Sequence, residues 1–399
     1  MSQTVYIVAA KRTAVTKATV GLFQQTRPDD LLAHIIQSVV SDIPSIDQSK
    51  IADVIVGCAM PEAEQGLNVA RNALLYAGLP ECVPGMTINR FCCSGIQSLA
   101  IGADRIAAGR ADLILAGGTE SMSMVPMEGN TPRINDRIFD DNEKNIGVGY
   151  GMGATAENVA KQWQISREAQ DEFALASHEK ALLAIKTGQF KAEISPYKIT
   201  RRIADLNKEK IKSKNITVDT DGGPRKETSL KKLAKLKPVF AAKGSVTAGN
   251  SSQKSDGAAM VILASKKALK TYNLTPLARF ISYDVVGVDP KVMGIGPVTA
   301  IPNALKRAKL KLQNLQWIEL NEAFAAQSLA VIQEAGLDRN IVNPNGGAIA
   351  LGHPLGATGA IRTASLIHGM RKKSQKYGMV TMCIGAGMGF AGVFEMLYE

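Results

Sequence analysis

The sequence has no apolar run long enough to cross a membrane and no low-complexity tract. Near its start, the apolar run at residues 5–10 is followed by Lys11 and Arg12, whereas a signal peptide places its charges before the apolar run. Residues 394–399 carry neither a lipidation motif nor a peroxisomal address. These absences argue against an integral membrane protein and lead us to expect a cytoplasmic chain.

The cysteines do not suggest a disulfide framework. Their number is odd, the chain is large, and no secretory signal accompanies them, so we expect free thiols that are available for chemistry. The five are Cys58, Cys82, Cys92, Cys93 and Cys383. Histidine is scarce as well, with four in the chain. His34 and His178 fall in helical patterns and His368 near a helix end, which favours structural roles for these three.

The net charge is +11, because 47 Lys and Arg outnumber 36 Asp and Glu, and much of the excess lies between residues 197 and 243. One interpretation is a solvated insertion. The other is attraction for a multiply phosphorylated ligand or for nucleic acid. The segment lacks interleaved aromatic residues and any zinc or helix-turn-helix pattern, so we expect neither a nucleic-acid partner nor a metal.

The chain of 399 residues is long enough for two domains, and strand and helix patterns alternate along it, which predicts an α/β fold. A plan of strand, loop, helix, strand and Gly-rich turn occurs once around Cys92 and again before Cys383. We therefore predict two similar halves, one formed by residues 1–120 and 244–270 and the other by residues 271–399. Residues 121–243 are polar and predict an insertion that covers a site.

Cys92 stands where a short strand at residues 86–89 ends and a helix begins. The helix pattern shows one apolar stripe, formed by Ile96, Leu99, Ala103 and Ile106. Because a helix N-terminus favours negative charge, we expect a lowered pKa for the Cys92 thiol and a nucleophilic thiolate. The alternative for a free cysteine is a small buried hydrophobic residue, which is our interpretation of the adjacent Cys93.

His353 lies in a Gly-rich loop, at residues 345–356, rather than on a helix face. A histidine held there by the backbone can deprotonate a cysteine. The alternative is a loop histidine that makes only structural hydrogen bonds.

Two further side chains stand at strand ends. Cys383 opens a Gly-rich turn at residues 383–389, whose backbone N–H groups can form a nest for an oxyanion, and its thiol can act as an acid or base. The alternative is a buried strand-end cysteine. Asn321 follows another strand, where its amide can orient a water or donate to an oxyanion. The alternative for Asn321 is a helix N-cap.

Seven sequence blocks together resemble the thiolase family, and the match runs essentially from end to end. The blocks are residues 5–13, 89–92, 117–122, 247–252, 321–324, 346–354 and 383–385. The resemblance implies an α/β thiolase-like fold, with two similar α/β halves whose mixed sheets form a layered αβαβα arrangement. It also implies that the insertion is a loop domain covering a coenzyme A (CoA) site.

The resemblance implies roles for the residues already noted. Cys92 would be the acylated nucleophile, His353 would activate it, and Cys383 would carry the α-proton of acetyl-CoA. The N–H groups of Cys92 and Gly385 would hold the thioester oxyanion. A water on Asn321, together with His353, would hold the oxygen of the CoA thioester.

The resemblance also implies which residues contact the substrate. Arg225 would lie against the adenine of CoA, Ser252 would touch the pantetheine arm, and Ala248 belongs to the same CoA-binding block. Met152 and Phe324 would line the acyl pocket. No tightly bound cofactor is implied, and CoA is a co-substrate.

Two positions depart from patterns seen in thiolases. Gly222 stands three residues before Arg225, where many relatives have an acidic residue, which leaves the adenine contacts open. The sequence Gly-Met-Gly at residues 151–153 differs from the His-Met-Gly that acetoacetyl-CoA thiolases often carry, and residues 391–395 look more like the broad-specificity group.

The resemblance, together with these departures, implies an acetyl-CoA C-acyltransferase that is similar to the 3-ketoacyl-CoA thiolases of fatty acid β-oxidation. It would cleave 3-ketoacyl-CoA with CoA, by ping-pong kinetics through acyl-Cys92, to acetyl-CoA and a shortened acyl-CoA. The alternatives are an acetoacetyl-CoA thiolase, a ketosynthase-type condensing enzyme, which the thiol at position 383 disfavours, and a non-catalytic basic binding protein. Family resemblance suggests a homodimer or homotetramer, with an enoyl-CoA hydratase/3-hydroxyacyl-CoA dehydrogenase as a candidate partner.

Overall fold

The structure, a computed structural model, describes residues 3–130, 135–139, 147–205 and 209–398. Lys208 of the basic segment lies outside these ranges. The first half is a mixed sheet in the order β4-β3-β5-β8-β1, with the two-residue β2 paired to β8. Its elements are β1 (Val5–Arg12), β2 (Thr16–Lys17), α1 (Pro28–Ser41), β3 (Val54–Gly57), α2 (Val69–Tyr76), β4 (Gly85–Ile88), α3 (Ser94–Ala107), β5 (Leu113–Ser121) and, after a long insertion, β8 (Ser255–Ser265).

The insertion between β5 and β8 is richer in regular structure than its sequence suggests. A single helical stretch is predicted over residues 155–186, but two helices form there, separated at residues 163–166, and Ser166 caps the second by accepting the N–H of Ala169 at 3.1 Å. A hairpin not foreseen from the sequence carries much of the positive charge. The elements are α4 (Met152–Gln162), α5 (Arg167–Lys186), β6 (Tyr197–Asp205), β7 (Lys210–Val218) and α6 (Leu230–Ala234).

The second half repeats the plan of the first. Its sheet runs β10-β11-β12-β9, and Val342 adds a parallel bridge to the outer side of β10, so a parallel outer pair and an antiparallel inner pair occur in both halves. The elements are α7 (Lys266–Thr271), β9 (Ala278–Gly287), α8 (Gly296–Ala308), β10 (Trp317–Leu320), α9 (Ala325–Glu334), α10 (Ala348–Leu351), α11 (Leu355–Lys372), β11 (Tyr377–Ile384) and β12 (Met388–Met396).

Five layers result from strands that are apolar on both faces. Val54 and Val56 point to one face of their sheet and pack with α1 and α2, whereas Ile55 points to the other and packs with α3 and α11. Val380 in β11 reaches the same central helices, while Met379 packs outward with α8 and α9. The layered αβαβα arrangement is therefore confirmed.

The two sheets are joined where β1 pairs with β9, through Tyr6 with Arg279 and Ile7 with Ala278. Within the described ranges, the strands of the two halves thus form one continuous ten-stranded sheet by hydrogen bonding, although each half keeps its own helices. The division at residues 120, 243 and 270 stays a prediction. Among the helices that the structure describes, none is both long enough and apolar enough to cross a bilayer.

Candidate active site

The starts of the two central helices bring Cys92 and His353 together. Each side chain stands two residues before its helix, since α3 begins at Ser94 and α11 at Leu355. The helices touch through backbone at these ends, because a Cβ added to Gly95 would lie 2.7 Å from the carbonyl oxygen of Gly356. Close approach therefore depends on glycine at this crossing.

Both side chains line one cavity of about 390 Å³, whose wall is mainly apolar. The residues that line it include several methionines and two phenylalanines in mutual edge-to-face contact. They are Cys92, Met122, Met127, Glu128, Gly151, Met152, Gly153, Ala154, Phe240, Ser251, Ser252, Gln253, Lys254, Met293, Ala323, Phe324, His353 and Leu355. A larger surface groove lies at the edge of β9 and a smaller one beside β6, and the described residues that line these two grooves include neither cysteine nor histidine.

The Cys92 thiol is nearly buried at the cavity wall, directly after Phe91, whose φ of 44° is unusual for a residue with a side chain. Burial raises the pKa of Cys92 to about 11, and hydrogen bonds from the N–H groups of Gly385 and of Cys92 itself oppose this only in part. The expectation of a lowered pKa at the helix start is therefore wrong for this structure. The desolvation of the sulfur outweighs the helix N-terminus.

His353 is held in one tautomer. Thr358 Oγ1 lies 3.0 Å from the carbonyl oxygen of Pro354, to which it donates its proton, and 2.6 Å from His353 Nδ1, whose proton it accepts. The Nε2 lone pair therefore faces Asn321, whose Nδ2 lies 3.3 Å away. Burial, followed by the charge of Arg362, lowers the pKa of His353 to about 3, so the imidazole is neutral and can take a proton.

Asn321 is not a helix cap, since α9 begins four residues later and Phe324 holds the N-cap position. Its backbone N–H donates to the carbonyl oxygen of Thr381 at 2.9 Å, which fixes the residue beside β11. Its side-chain Oδ1 is buried and has no partner among the residues that the structure describes. A buried amide oxygen without a partner is a group that a bound water or substrate would satisfy.

Cys383 lies near the end of β11, fully buried behind the cavity wall. Burial raises its pKa, and the nearby Cys92 raises it further, so the two thiols are neighbours. The turn that follows begins with Gly385, whose N–H contacts Cys92, and continues through Ala386 and Gly387 with φ of 62° and 79°. The first N–H group of this turn thus lies next to Cys92, and its use as part of an oxyanion nest stays a prediction.

The residues expected to bind CoA divide into two groups. Met152, Ser252 and Phe324 line the cavity, whereas Arg225 and Ala248 are exposed outside it. An exposed position is compatible with a ligand that extends from the cavity to the surface. Within the described residues, no group of acidic, histidine or cysteine side chains has a metal-binding arrangement.

The sequence reading missed two residues that shape the site. Thr358 fixes the His353 tautomer. A hydroxyl residue on the first helical turn after the histidine loop is the sequence feature from which this contact could have been predicted. Glu120 is a carboxylate buried at the end of an apolar strand, and it accepts N–H groups from both halves of the fold. A charge in such a strand indicates a specific set of partners, although the sequence does not identify them.

A buried thiol and a neutral imidazole in one cavity of a duplicated α/β fold are the nucleophile and base that an enzyme with covalent thiol catalysis requires. The N-terminal thiolase domain model matches residues 5–267, and the C-terminal thiolase domain model matches residues 274–396. The chain therefore belongs to the thiolase family, as the resemblance implied.

Individual relatives agree with the family. A 3-ketoacyl-CoA thiolase of Bacillus subtilis is 49% identical over 98% of both chains. An acetyl-CoA acetyltransferase of Shinella zoogloeoides is 42% identical over the full length of both. Among solved structures, human mitochondrial 3-ketoacyl-CoA thiolase superposes with a TM-score of 0.88 at 38% identity, over 99% of each chain.

Proposed function

We propose that this chain cleaves 3-ketoacyl-CoA with CoA, giving acetyl-CoA and an acyl-CoA shortened by two carbons, in fatty acid β-oxidation. The observation that carries the proposal is the shared cavity of Cys92 and His353, with the Gly385 N–H directed at the Cys92 sulfur. Relatives named 3-ketoacyl-CoA thiolase, at up to 49% identity, support the substrate class.

In the first half-reaction, His353 Nε2 takes the thiol proton as Cys92 Sγ attacks the 3-keto carbon. The N–H groups of Cys92 and Gly385 hold the resulting oxyanion. The bond between C2 and C3 then breaks, and acetyl-CoA leaves as an enolate that takes a proton from Cys383. The raised pKa of Cys92 makes proton removal by the neutral imidazole necessary, because little thiolate exists near neutral pH.

In the second half-reaction, the Cys383 thiolate removes the proton of an incoming CoA thiol, which attacks the acyl group on Cys92. The sulfur of Cys92 leaves and recovers its proton from the His353 imidazolium, so that all protons balance over one turnover. Asn321 lies next to His353 Nε2, and no described residue pairs with its Oδ1, so its side chain is suited to hold the water that contacts the thioester oxygen.

CoA itself would extend from the cavity towards the insertion. Ser252 at the cavity would contact pantetheine, Ala248 would lie along the same arm, and the exposed Arg225 would stack on adenine. Met152 and Phe324 would contact the acyl chain. The basic character of the insertion would attract the phosphates.

Replacing Cys92 by serine tests the proposal, with release of acetyl-CoA from 3-ketoacyl-CoA as the assay. Loss of at least about a thousandfold in kcat is expected, because a serine hydroxyl is a far weaker nucleophile at neutral pH. Cys82→Ser, at an exposed cysteine, is the matched control and should keep full activity. Normal turnover by Cys92→Ser would refute the nucleophile, and the absence of turnover in the unmodified chain would favour a non-catalytic binding protein.

Condensation of two acetyl-CoA molecules is the second candidate, favoured by relatives named acetyl-CoA acetyltransferase at 42% and 44% identity. A series of 3-ketoacyl-CoA substrates from four carbons upward decides between them. Activity confined to acetoacetyl-CoA would favour the second candidate, and activity that persists on longer chains would favour the first.

A homodimer is part of the proposal. Among the described residues, strand β4 is paired on one side only and forms an open edge of its sheet, and apolar side chains stand exposed around it, with Met86 36%, Tyr76 62% and Leu67 92% accessible. An open edge flanked by exposed apolar groups invites pairing with a second copy. Sedimentation equilibrium should give a dimer or tetramer for the native chain and a shift towards monomer for Met86→Lys.

A further inference from the structure

Gln253 lies at the cavity wall just before β8, and its side-chain Nε2, with two N–H donors, lies within hydrogen-bond distance of three backbone carbonyl groups. The acceptors are the carbonyl oxygens of Gly223 at 3.0 Å, Ile349 at 2.9 Å and Ala350 at 3.0 Å. Gly223 belongs to the loop 219–226, which carries Arg225, and the other two belong to the Gly-rich segment that leads to His353. One side chain therefore ties two separate loops together.

The main chain of Gln253 holds the same segment from its other end. Its carbonyl oxygen accepts the backbone N–H of His353 at 3.0 Å. Side chain and main chain of one residue thus fix the Gly-rich segment at residues 349–350 and at the candidate base itself.

The loop 219–226 is also held by contacts away from Gln253, so the loop does not simply follow a displacement of Gln253. Asp221 forms two hydrogen bonds with the buried Arg12 guanidinium, at 2.7 and 2.9 Å, and the Arg225 N–H donates to His178 Nδ1 at 3.2 Å. A Cβ added to Gly223 would overlap the carbonyl oxygen of Ala350, so the two loops meet backbone to backbone. Contacts this close transmit a displacement from one loop to the other.

We propose that Gln253 is a positioning residue that couples the loop carrying Arg225 to the loop carrying His353, so that the nucleotide end of CoA supports the reaction at the thioester. The inference rests on the proposed function, since it takes the nucleotide to bind at Arg225 and His353 to act as the base. Enzymes commonly use binding energy from a remote part of the substrate in this way.

The test compares two substrates that differ only in the nucleotide, acetoacetyl-CoA and acetoacetyl-pantetheine. The ratio of their kcat/KM values measures what the nucleotide contributes. Gln253→Met keeps the volume but removes the donor, and the loss of about one net hydrogen bond between the loops should lower this ratio about tenfold. Gln253→Glu places a carboxylate against three carbonyl oxygens and should lower it further.

Three other outcomes overturn the inference. An equal fall in kcat/KM for both substrates would mean that Gln253 acts on His353 alone. Unchanged values for both would mean that the amide only fills space. A larger loss on acetoacetyl-pantetheine would mean that the nucleotide masks the defect instead of depending on the contact.

Gln37→Met is the matched control, because its amide donates to a single carbonyl group, that of Ala77, on the exposed side of α1. For this variant, the ratio of kcat/KM for acetoacetyl-CoA to kcat/KM for acetoacetyl-pantetheine should equal that of the native enzyme. If the native enzyme cleaves neither substrate, the proposed function itself is wrong. If native turnover is normal but Gln253→Met leaves the ratio of kcat/KM values unchanged, only the coupling role of Gln253 is wrong.

Discussion

Glu120 offers a sharp test of how the two halves are held around the site. Its carboxylate accepts the N–H groups of Ala59 and Gly356 on Oε2, both at 2.7 Å. On Oε1 it accepts the Gln65 amide at 2.7 Å and the Met60 N–H at 3.3 Å. Gly356 lies three residues after His353, while Ala59 and Met60 belong to the segment after β3 and pack beside Cys92, so this carboxylate joins the loop that carries the candidate base to a segment packed against the candidate nucleophile.

Glu120→Gln keeps the size of the side chain but replaces one oxygen with an NH₂ group. In one orientation the NH₂ faces two backbone N–H groups, and in the other it faces the Met60 N–H and the Gln65 amide. The Gln65 amide cannot turn to help, because its own oxygen accepts the N–H of Ser121. In either orientation, two buried N–H donors face the new NH₂ group and lose their acceptor, and each lost hydrogen bond costs about 1–3 kcal/mol of stability.

Part of this loss is offset. Burial raises the pKa of Glu120, against the four hydrogen bonds that lower it, and the neutral amide avoids the cost of burying a charge. We therefore expect Glu120→Gln to lower the free energy of unfolding by about 2–4 kcal/mol. Urea unfolding followed by circular dichroism measures this value by linear extrapolation.

Glu62→Gln is the matched control, because among the described residues this partly exposed glutamate accepts hydrogen bonds from Asn130 alone. Its effect should stay below about 1 kcal/mol. If Glu120→Gln were as stable as the control variant, the four contacts would not hold the halves together and the reasoning would be wrong.

Three further predictions concern buried positions. Gly118→Ala should lower the free energy of unfolding by about 3 kcal/mol in thermal melts, since its Cβ would overlap the carbonyl oxygen of Gly356, and an unchanged melting temperature would contradict the packing. Arg12→Met should cost about 3–5 kcal/mol in urea because it leaves two buried carboxylates unpaired, and a loss below about 1 kcal/mol would contradict their charged state. Burial lowers the pKa of His353 to about 3, so below pH ~6.5 the unfolded chain takes up a proton that the folded chain refuses, and stability falls as pH falls. Between pH 6 and 4, His353→Asn should lose about 1.4 kcal/mol per pH unit less than the native chain, and equal slopes would refute the neutral imidazole.

The sequence predicted the local units around the site better than their environment. The strand before Cys92, the helix after it and the turn after Cys383 follow from local periodicity and glycine, and all three are present. The direction of the Cys92 pKa shift could not be predicted, because it depends on how much apolar surface from distant segments surrounds the sulfur. The hairpin β6–β7 was missed for a related reason: its strands are mostly polar and exposed, so they lack the alternation that identifies a half-buried strand.

The repeated fold explains why two similar halves give a single candidate site. Strand register places Gly57 opposite Gly118 in the first half and Leu320 opposite Thr381 in the second. Cys58 and Asn321 each follow the first residue of these pairs by one position, and Glu120 and Cys383 each follow the second by two. The pair Cys58 and Glu120 therefore occupies the same place in the first half as the pair Asn321 and Cys383 in the second.

In the second half, these positions hold a thiol beside Cys92 and an amide whose oxygen has no hydrogen-bond partner in the described part of the chain. In the first half, the carboxylate of Glu120 is fully occupied by N–H donors, and the Cys58 sulfur lies 3.8 Å from it, with a pKa that burial raises. The first half therefore uses the shared geometry to fix the loops around the site, and the second half leaves the same geometry free for chemistry.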